Sequence, residues 1–524
     1  MRRADAAPPG TPRRGRDRAA ALLVWLALAA VPARAQQADS SAGVAAERAD
    51  SSAQFAPQRA DSGAGAAAQR ADPGARASAP AESEADRNRN AVGGSGPSTL
   101  VYPPYNHTYG IHKARTPHLK LFLAGRTVFS DPQGLAAVKL AQDDDPSQKS
   151  DDFQLTLLGL NAGRGEIIYN SSMQTLAMFG TQGSREGQFD APRGIAADVN
   201  GKVYVADSGN RRVVRLVWRD RQLVWTGLVK GDFQEPWGVA TAPAGDQVYI
   251  TDRRGDQVYR WTPPADSGGG DGELVAVFPE GLRRPTAVAV LDSREEWLSP
   301  REDALYVIYE DGARLGKFDP AGKLLAETAA AERDSLSAAP RFAYLACDFY
   351  GNVYVTDTGN GTIYKFKRDL TYLTRYGEQG EGDFQLMEPR GIAIWKRFGQ
   401  VFVAEKDGAQ YFFVGTDILL PDGPLPMRIS GSGPTKGYEF EAFFTDPTEL
   451  AIEFLAEDGA VVDSLKVPGT LESGAAQVSI AGVGLSPDLE QRASRIVLEP
   501  RPTYSSRKRF ARRMERPIEW VQAR

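Results

Sequence analysis

One short segment of this chain concentrates residue types that carry out binding chemistry. The sequence from Ala191 to Leu216, APRGIAADVNGKVYVADSGNRRVVRL, contains Pro192-Arg193-Gly194, then Asp207-Ser208-Gly209-Asn210, then the pair Arg211-Arg212. Arginine binds carboxylate and phosphate groups through paired hydrogen bonds, whereas a turn aspartate either ligates a cation or accepts hydrogen bonds from its own turn. The segment is therefore either a binding site or the connections of a repeated scaffold.

The residues that most often carry acid–base or metal chemistry are scarce elsewhere. His107, His112 and His118 cluster in a Pro- and Tyr-rich segment, but no fourth ligand follows at regular spacing. A serine or cysteine nucleophile would lack a histidine base, because no histidine follows His118. We expect Cys347 to be a small buried residue of a strand. The sequence predicts no catalytic residue, no metal ligand and no cofactor.

A long-period repeat accounts for most of the opening segment. Each unit begins with Phe-x-x-Pro or a relative of it and continues with Gly-Ile-Ala or a relative. A second apolar run follows, such as 203–206, and its lack of alternation indicates that both faces are covered. Four short antiparallel strands per unit, separated by turn residues, are typical of a β-propeller blade. The six units begin at Phe129, Phe189, Phe233, Leu282, Phe342 and Phe384.

The repeat also predicts how the ring closes. The sixth unit has three strands, of which the last covers 410–414, and no good fourth strand follows. The run HLKLFLA at 118–124 precedes the first unit and has the position of a fourth strand. We therefore expect 118–124 to complete the last blade, which would remove two exposed strand edges. The predicted fold is all-β, with a six-bladed propeller over residues 118–427.

The repeat resembles the NHL repeat. Its pattern, Gly-x-Phe-x-x-Pro-x-Gly-Ile-Ala followed by Gly-x-Val-Tyr-Val-Ala-Asp-x-x-Asn-x-Arg-Val, is present from Gly187 to Leu216. The fifth unit matches over 351–360, although Thr362 stands where the repeat has an arginine. The resemblance covers about 118–414. It implies a six-bladed propeller of the secreted bacterial type and points to no single activity.

The predicted meander places two loops of each blade on one rim. The loop before the first strand and the loop between the second and third strands emerge on the same face, so Arg193 and the turn 207–210 share it. We expect rim arginines near Trp237 to bind an anionic or carbohydrate-like ligand, with a mixed solvated rim as the alternative. We expect Asp207, Asp252 and Asp357 to bond amides of their own turns. The candidate ligand-binding residues are Gln133, Arg193, Arg211, Arg212, Trp237, Arg253 and Arg390.

The N-terminal residues are typical of export. Residues 1–35 combine arginines, a short apolar run and a small-x-small site at 33–35, which predicts a cleaved signal peptide and a periplasmic or extracellular protein. Residues 36–95 are rich in Ala, Ser and Gln and predict a disordered linker. An irregular lead-in is expected over 96–117. Removing the seven arginines and two aspartates of 1–35 changes the formal net charge from −5 to about −10, which disfavours nucleic acid as a partner.

The C-terminal residues have a different strand rhythm. Residues 428–502 predict a small β-sandwich that looks like the immunoglobulin-like modules of secreted bacterial proteins. Residues 503–524 form a basic tail, which we expect to be solvated, or else in weak contact with an acidic surface.

These observations favour an exported, non-enzymatic binding or scaffold protein. Its partner would be another envelope or extracellular protein, or a glycan, held on one rim of the ring. The alternative is a metal-dependent hydrolase or lyase of the propeller class. Lyases that resemble this fold use histidines inside the ring, and none lies between His118 and the C-terminus. Gluconolactonase-like propellers use Glu, Asn and Asp around a central metal, but Asn210 and Asn360 fall on rim turns here.

Overall fold

The fold is described from a computed structural model. The signal peptide predicted over 1–35 and nearly all of the predicted linker, 36–95, lie outside the described residues, as does His107. The residues that the structure describes are 69–70, 99–102, 112–144, 155–172, 175–264, 271–329, 339–503 and 512–522.

Six antiparallel sheets form the blades of a propeller, as the repeat predicts. The innermost strands of successive blades contact one another in chain order, and the sixth contacts the first, so the ring is closed. From the channel outward, the strands of blade 1 are Pro132–Val138, Thr156–Asn161, Glu166–Ser172 and Thr175–Phe179, and those of blade 2 are Pro192–Ala197, Lys202–Asp207, Arg212–Arg219 and Gln222–Val229. Blade 3 has Pro236–Thr241, Val248–Asp252, Gln257–Thr262 and Glu273–Ala276, and blade 4 has Ala287–Leu291, Ala304–Tyr309, Arg314–Phe318 and Leu324–Ala329. Blade 5 has Phe342–Cys347, Val353–Asp357, Thr362–Phe366 and Tyr372–Tyr376.

The core of the ring lies between the blades. The second strands are buried along almost their whole length, for example from Val203 to Asp207. Their residues are mostly valine, isoleucine and tyrosine, which suit a pleated surface covered on both faces. Two short parallel pairs precede blades 2 and 6, namely Thr181–Gln182 with Gln188–Phe189 and Glu378–Gln379 with Gln385–Leu386.

Blade 6 is closed by N-terminal residues, but not by the predicted ones. Its strands Ile392–Trp395, Gln400–Glu405 and Gly408–Val414 are joined by Leu100–Val101 and Lys113–Arg115, both antiparallel to the third strand. The prediction of a closing strand at 118–124 is wrong. The closing strands also lie N-terminal to residue 118, where the sequence predicted the ring to begin.

Residues Thr116–Phe122 form an α-helix instead of a strand. Pro117 stands in the first turn, where its fixed φ suits a helix and its missing N–H costs nothing. Leu119 and Leu123 are buried in a cluster with Leu176 and Met178 of the outermost strand of blade 1. The helix therefore covers the outer edge of blade 1, on the side next to the closing blade.

The C-terminal strands share one hydrophobic cluster that includes Phe440, Phe454 and Ile496. Part of the predicted basic tail belongs to them, because Met514–Gln522 is a strand that pairs antiparallel with Arg495–Pro502 and parallel with Leu425–Ser430. The expected solvated tail therefore does not extend over 514–522, where the structure has this paired strand. The remaining elements are the strands Gln69–Arg70, Ile418–Leu419, Gly437–Phe444, Thr448–Leu455, Val461–Lys466 and Gly474–Ala481 and the helix Leu489–Arg492.

Within the described part of the chain, no helix has the length and apolar character that crossing a bilayer requires.

Candidate functional site

Glycines set the distance between blades at the channel. A Cβ atom at Gly194 would lie 2.6 Å from the carbonyl oxygen of Trp237, and one at Gly238 would lie 2.5 Å from that of Thr286. Real Cβ atoms do not approach a carbonyl oxygen so closely, so glycine is needed for the innermost strands to come together. The residue before each glycine is thereby held at the mouth of the channel.

Two arginines contact the ring of Trp237 at this mouth. The guanidinium carbon of Arg193, from blade 2, lies 4.9 Å from the centre of the Trp237 ring. The guanidinium carbon of Arg253, from the turn after the second strand of blade 3, lies 5.0 Å from the same centre. Such cation–π contacts contribute about 0.5–1 kcal/mol each at exposed sites and more where water is excluded. The structure thus brings together three predicted site residues, from the two loops expected to share a rim.

The charge of Arg253 is matched by two carboxylates. Its Nε lies 2.7 Å from Oδ1 of Asp311, and its Nη1 lies 2.9 Å from Oε2 of Glu235. Burial opposes the charged form, but the hydrogen bonds that Arg253 donates to Asp311 and Glu235 outweigh burial and raise the pKa of Arg253. Arg284 contributes a further hydrogen bond to Asp311. Arg253 is therefore held in place beside Trp237 by two close ion pairs, whose carboxylates also pair with Arg284 and Arg254.

Asp131 joins the other predicted residues of the mouth. Nε2 of Gln133 donates to Oδ1 of Asp131 at 3.0 Å, and Nη1 of Arg390 donates to the same oxygen. Arg390 also lies 3.2 Å from Oε2 of Glu388. Nη1 of Arg193 lies 3.5 Å from Oδ2 of Asp131, a longer separation than the two ion pairs of Arg253. Arg193 is therefore less well neutralised than Arg253 or Arg390, and a quarter of its side chain is exposed.

A tyrosine crosses the centre of the ring. Tyr344 of blade 5 stands at the position that glycine holds in blades 1, 2, 3 and 6. Its hydroxyl donates toward Oε1 of Gln133 in blade 1 at 2.7 Å and the carbonyl oxygen of Arg193 in blade 2 at 3.1 Å. Burial raises the pKa of Tyr344, so its hydroxyl stays protonated and able to donate. The side chain therefore connects blade 5 with blades 1 and 2, next to the residues of the mouth.

The two residues of the pair Arg211-Arg212 have different surroundings. Nε of Arg212 lies 2.8 Å from Oδ2 of Asp207, and its other nitrogens donate to the carbonyl oxygens of Ser184 at 2.7 Å and Gln188 at 2.8 Å. The guanidinium of Arg212 therefore holds the loop before blade 2 to the turn after its second strand. Arg211 is exposed and has a left-handed backbone with φ of 54°. Neither residue is in contact with Trp237.

The turn aspartates have structural roles. As predicted, Asp252 accepts a hydrogen bond from the amide of Gly255 at 3.1 Å, and Asp357 accepts one from Gly359 at 2.9 Å. Asp207 differs, because Oδ1 accepts from the amide of Asp190 in the preceding loop at 2.7 Å and Oδ2 from the side chains of its own turn. These carboxylates link two loops of one blade.

The two histidines that the structure describes and Cys347 each have different surroundings. Nδ1 of His118 accepts a hydrogen bond from the amide of Arg115 at 2.9 Å at the start of the helix. Nε2 of His112 lies 3.5 Å from Oδ1 of Asp383. Cys347 is buried in its strand, as predicted, and burial raises the pKa of its thiol to about 12. Among the described residues, no three His, Cys, Asp or Glu side chains are grouped as metal ligands.

Sequence reasoning missed three residues of the mouth: Asp131, Glu235 and Tyr344. Asp131 and Glu235 stand one position before the proline of Phe-x-x-Pro, so comparing the repeats at that position would have exposed them. Tyr344 is visible as a departure from the repeated glycine. The position of Asp311 after the second strand of blade 4 predicts that it lies on this rim, but not its ion pair with Arg253, which joins two blades.

One family model and several solved structures match parts of this chain. Residues 189–216 match the family model of the NHL repeat. No curated protein matches the chain. A streptogramin B lyase structure is 17% identical, with a TM-score of 0.37, and the match covers 55% of this chain and 94% of that one. A gluconolactonase from Xanthomonas campestris is 16% identical, with a TM-score of 0.38 and coverage of 55% and 88%. A virginiamycin B lyase from Staphylococcus aureus is 14% identical, with a TM-score of 0.35 and coverage of 49% and 76%.

Proposed function

We propose that this chain is an exported, non-enzymatic binding protein that holds an anionic ligand at the channel mouth around Arg193 and Trp237. The observation that carries the proposal is the stacking of Arg193 on Trp237 while its nearest carboxylate, Asp131, lies 3.5 Å away. Stacking on the indole fixes the plane of the guanidinium and leaves its N–H edge available for a carboxylate. The ligand would be a glycan or an envelope or extracellular protein that presents carboxylates.

The shape of the mouth supports binding over catalysis at the channel. Tyr344 fills the position on the ring axis, and its hydroxyl is engaged with Gln133 and the backbone of Arg193. The carboxylates at the mouth, Asp131 and Asp311, are hydrogen-bonded to arginines. At Asp311 burial opposes the ionised form, but the hydrogen bonds donated by Arg284 and Arg253 outweigh it and lower the pKa, which makes this carboxylate a poor general base.

The segments outside the ring complete the proposal. We propose that residues 1–35 direct export and that the C-terminal strands form a β-sandwich of the immunoglobulin-like kind. The shared cluster around Phe440 and Phe454 supports a separate core for these strands.

Binding to defined polymers tests the proposal. Purified protein is titrated with polygalacturonate, which presents carboxylates, and with dextran, which is neutral. We expect binding to polygalacturonate that weakens with added salt, because exposed ionic contacts are screened. Arg193→Ala and Trp237→Ala should each weaken binding about tenfold or more, which corresponds to the loss of about 1.4 kcal/mol.

Arg211→Ala is the matched control, because Arg211 is an exposed arginine of the same blade. It should bind as the native protein does, and all three variants should keep the native melting temperature within a few degrees. Equal binding to dextran, or equal losses for Arg193→Ala and Arg211→Ala, would contradict the proposed site. A pull-down from envelope extract with native protein and Arg193→Ala extends the test to protein ligands. A stoichiometric metal retained through dialysis, together with lactone hydrolysis, would establish the enzymatic alternative instead.

A further inference from the structure

Three ionisable side chains are buried together where the C-terminal strands meet blade 5. Lys365 lies on the third strand of the blade, and Asp348 directly follows its innermost strand. Asp446 comes from the C-terminal strands, in the turn after Phe444. All three residues are at most 1% exposed. Nζ of Lys365 donates to Oδ2 of Asp446 at 2.6 Å, so an ion pair joins the two parts of the chain.

The hydrogen bonds of the two carboxylates are unequal. Asp348 accepts from the amides of Tyr350 and Asn352, each at 2.9 Å, and from the side chain of Asn352 at 3.0 Å. Oδ1 of Asp446 is buried without a hydrogen-bond partner in the described structure. Lys365 is paired with Asp446, and Asp348 interacts electrostatically with both residues. One buried ammonium group thus accompanies two buried carboxylates, of which one is incompletely satisfied. A buried charge without full compensation is strongly unfavourable.

The other charged and polar groups described at this contact do not provide a second positive charge to balance the two carboxylates. The Lys365 ammonium lies 5.0 Å from the centre of the Tyr354 ring. The hydroxyls of Tyr350 and Thr503 share a hydrogen bond across the contact. Lys367 lies further along blade 5, with its Nζ 2.9 Å from where a Cβ of Gly474 would be. Glu472, which acts electrostatically on Tyr350, adds negative charge instead.

We propose that Asp348, Lys365 and Asp446 form a pH-sensitive latch, which holds the C-terminal strands to blade 5 most tightly when one of the two carboxyl groups is protonated. In that state the three groups carry no net charge. When both carboxyls ionise, the contact buries a net negative charge, and separating the two parts returns that charge to water.

The direction of the pH effect follows from the protons bound in each state. Burial raises the pKa of Asp446 to about 7 when the parts are docked, and also raises that of Asp348, against the lowering effect of Lys365. In the undocked state a solvated aspartate has a pKa of about 3.9. The docked state therefore binds more protons between these values, and docking weakens as the pH rises from about 4 to 7. Between pH 5 and pH 8 the docking constant should fall by up to about 100-fold.

Distances between two spin labels on the full-length chain test the latch. Leu324→Cys in blade 4 and Val483→Cys in the turn after the C-terminal strand Gly474–Ala481 place labels at sites that are 48% and 66% exposed, in a Cys347→Ser background. Distance distributions are recorded at pH 5 and pH 8 over a urea series. We expect a longer-distance population to appear at lower urea at pH 8 than at pH 5, before the ring unfolds.

Asp446→Asn removes the titrating group and keeps an oxygen for Lys365, so its undocking midpoint should not depend on pH. Asp319→Asn, in a turn of blade 4, is the matched control and should keep the native pH response. Lys365→Met should move undocking to a lower pH, because both carboxyls must then be protonated. The proposal is overturned if the native chain undocks at the same urea concentration at both pH values, or if Asp446→Asn retains the pH response.

Discussion

The hydroxyl oxygen of Tyr344 lies 2.7 Å from Oε1 of Gln133, and this contact ties blade 5 to blade 1 across the centre of the ring. The same hydroxyl lies 3.1 Å from the carbonyl oxygen of Arg193 in blade 2. One side chain therefore contacts both Gln133 and the backbone of the proposed binding residue, at a place where four other blades have glycine.

Removing that hydroxyl tests its contribution to the ring. Tyr344→Phe keeps the aromatic ring but leaves Gln133 without its cross-channel donor. We expect the free energy of unfolding to fall by about 1 kcal/mol, the usual net value of a buried hydrogen bond. Urea unfolding followed by tryptophan fluorescence measures it. Tyr259→Phe is the control, because the described structure shows no hydrogen bond for its hydroxyl. An equal loss for both variants would mean that the Tyr344 hydroxyl adds nothing specific.

The close approach of the innermost strands predicts a large effect of one methyl group. A Cβ at Gly391 would clash with the carbonyl oxygen of Gln133 and lie 2.8 Å from the amide of Leu135. Because backbone atoms cannot move aside cheaply, Gly391→Ala should destabilise the protein by about 1–3 kcal/mol. At Gly359 a Cβ would lie 3.4 Å from its nearest neighbour, so Gly359→Ala should change stability by less than about 0.5 kcal/mol. Thermal unfolding of the two variants compares them directly; similar melting temperatures would contradict the packing argument.

The sequence alone predicts the ring because its signal recurs six times and each copy supports the others. Phe-x-x-Pro, the following glycine and the second strand, whose apolar residues do not alternate with polar ones, all reflect burial between neighbouring blades. This burial is a local property of each repeat. The closing strand fails as a prediction because Leu100–Val101 and Lys113–Arg115 are short and carry no repeat pattern. The contact that fixes them, pairing with 408–414, is distant in sequence.

Two other features show where sequence signals were present but weak. The strand Met514–Gln522 alternates half-buried and exposed residues, with Ile518 and Trp520 packed against the C-terminal cluster. This period of two lies within a strongly basic segment, whose charge favours a solvated tail. The ion pair of Arg253 with Asp311 could not be predicted, because Asp311 approaches it from the next blade.

The helix before blade 1 gives a test that separates it from the predicted strand. In a strand, Leu119 and Leu121 would face the same side, whereas in the helix Leu119 is 4% exposed and Leu121 is 63% exposed. Leu119→Ala should therefore lower the free energy of unfolding by about 2–4 kcal/mol, and Leu121→Ala by less than about 0.5 kcal/mol. Urea unfolding of both variants measures this difference. Equal losses would favour the strand.

The proposed binding site makes a prediction about charge and geometry at Arg193. Arg193→Lys keeps the positive charge, but an ammonium cannot offer the flat, two-pronged N–H edge that the guanidinium presents while stacked on Trp237. If the guanidinium geometry binds the ligand, Arg193→Lys should lose at least half of the binding free energy that Arg193→Ala loses for polygalacturonate. Isothermal titration at low and physiological salt provides the measurement. If Arg193→Lys binds as tightly as the native protein and with the same salt dependence, the site attracts anions by charge alone, and the stacking on Trp237 has no part in recognition.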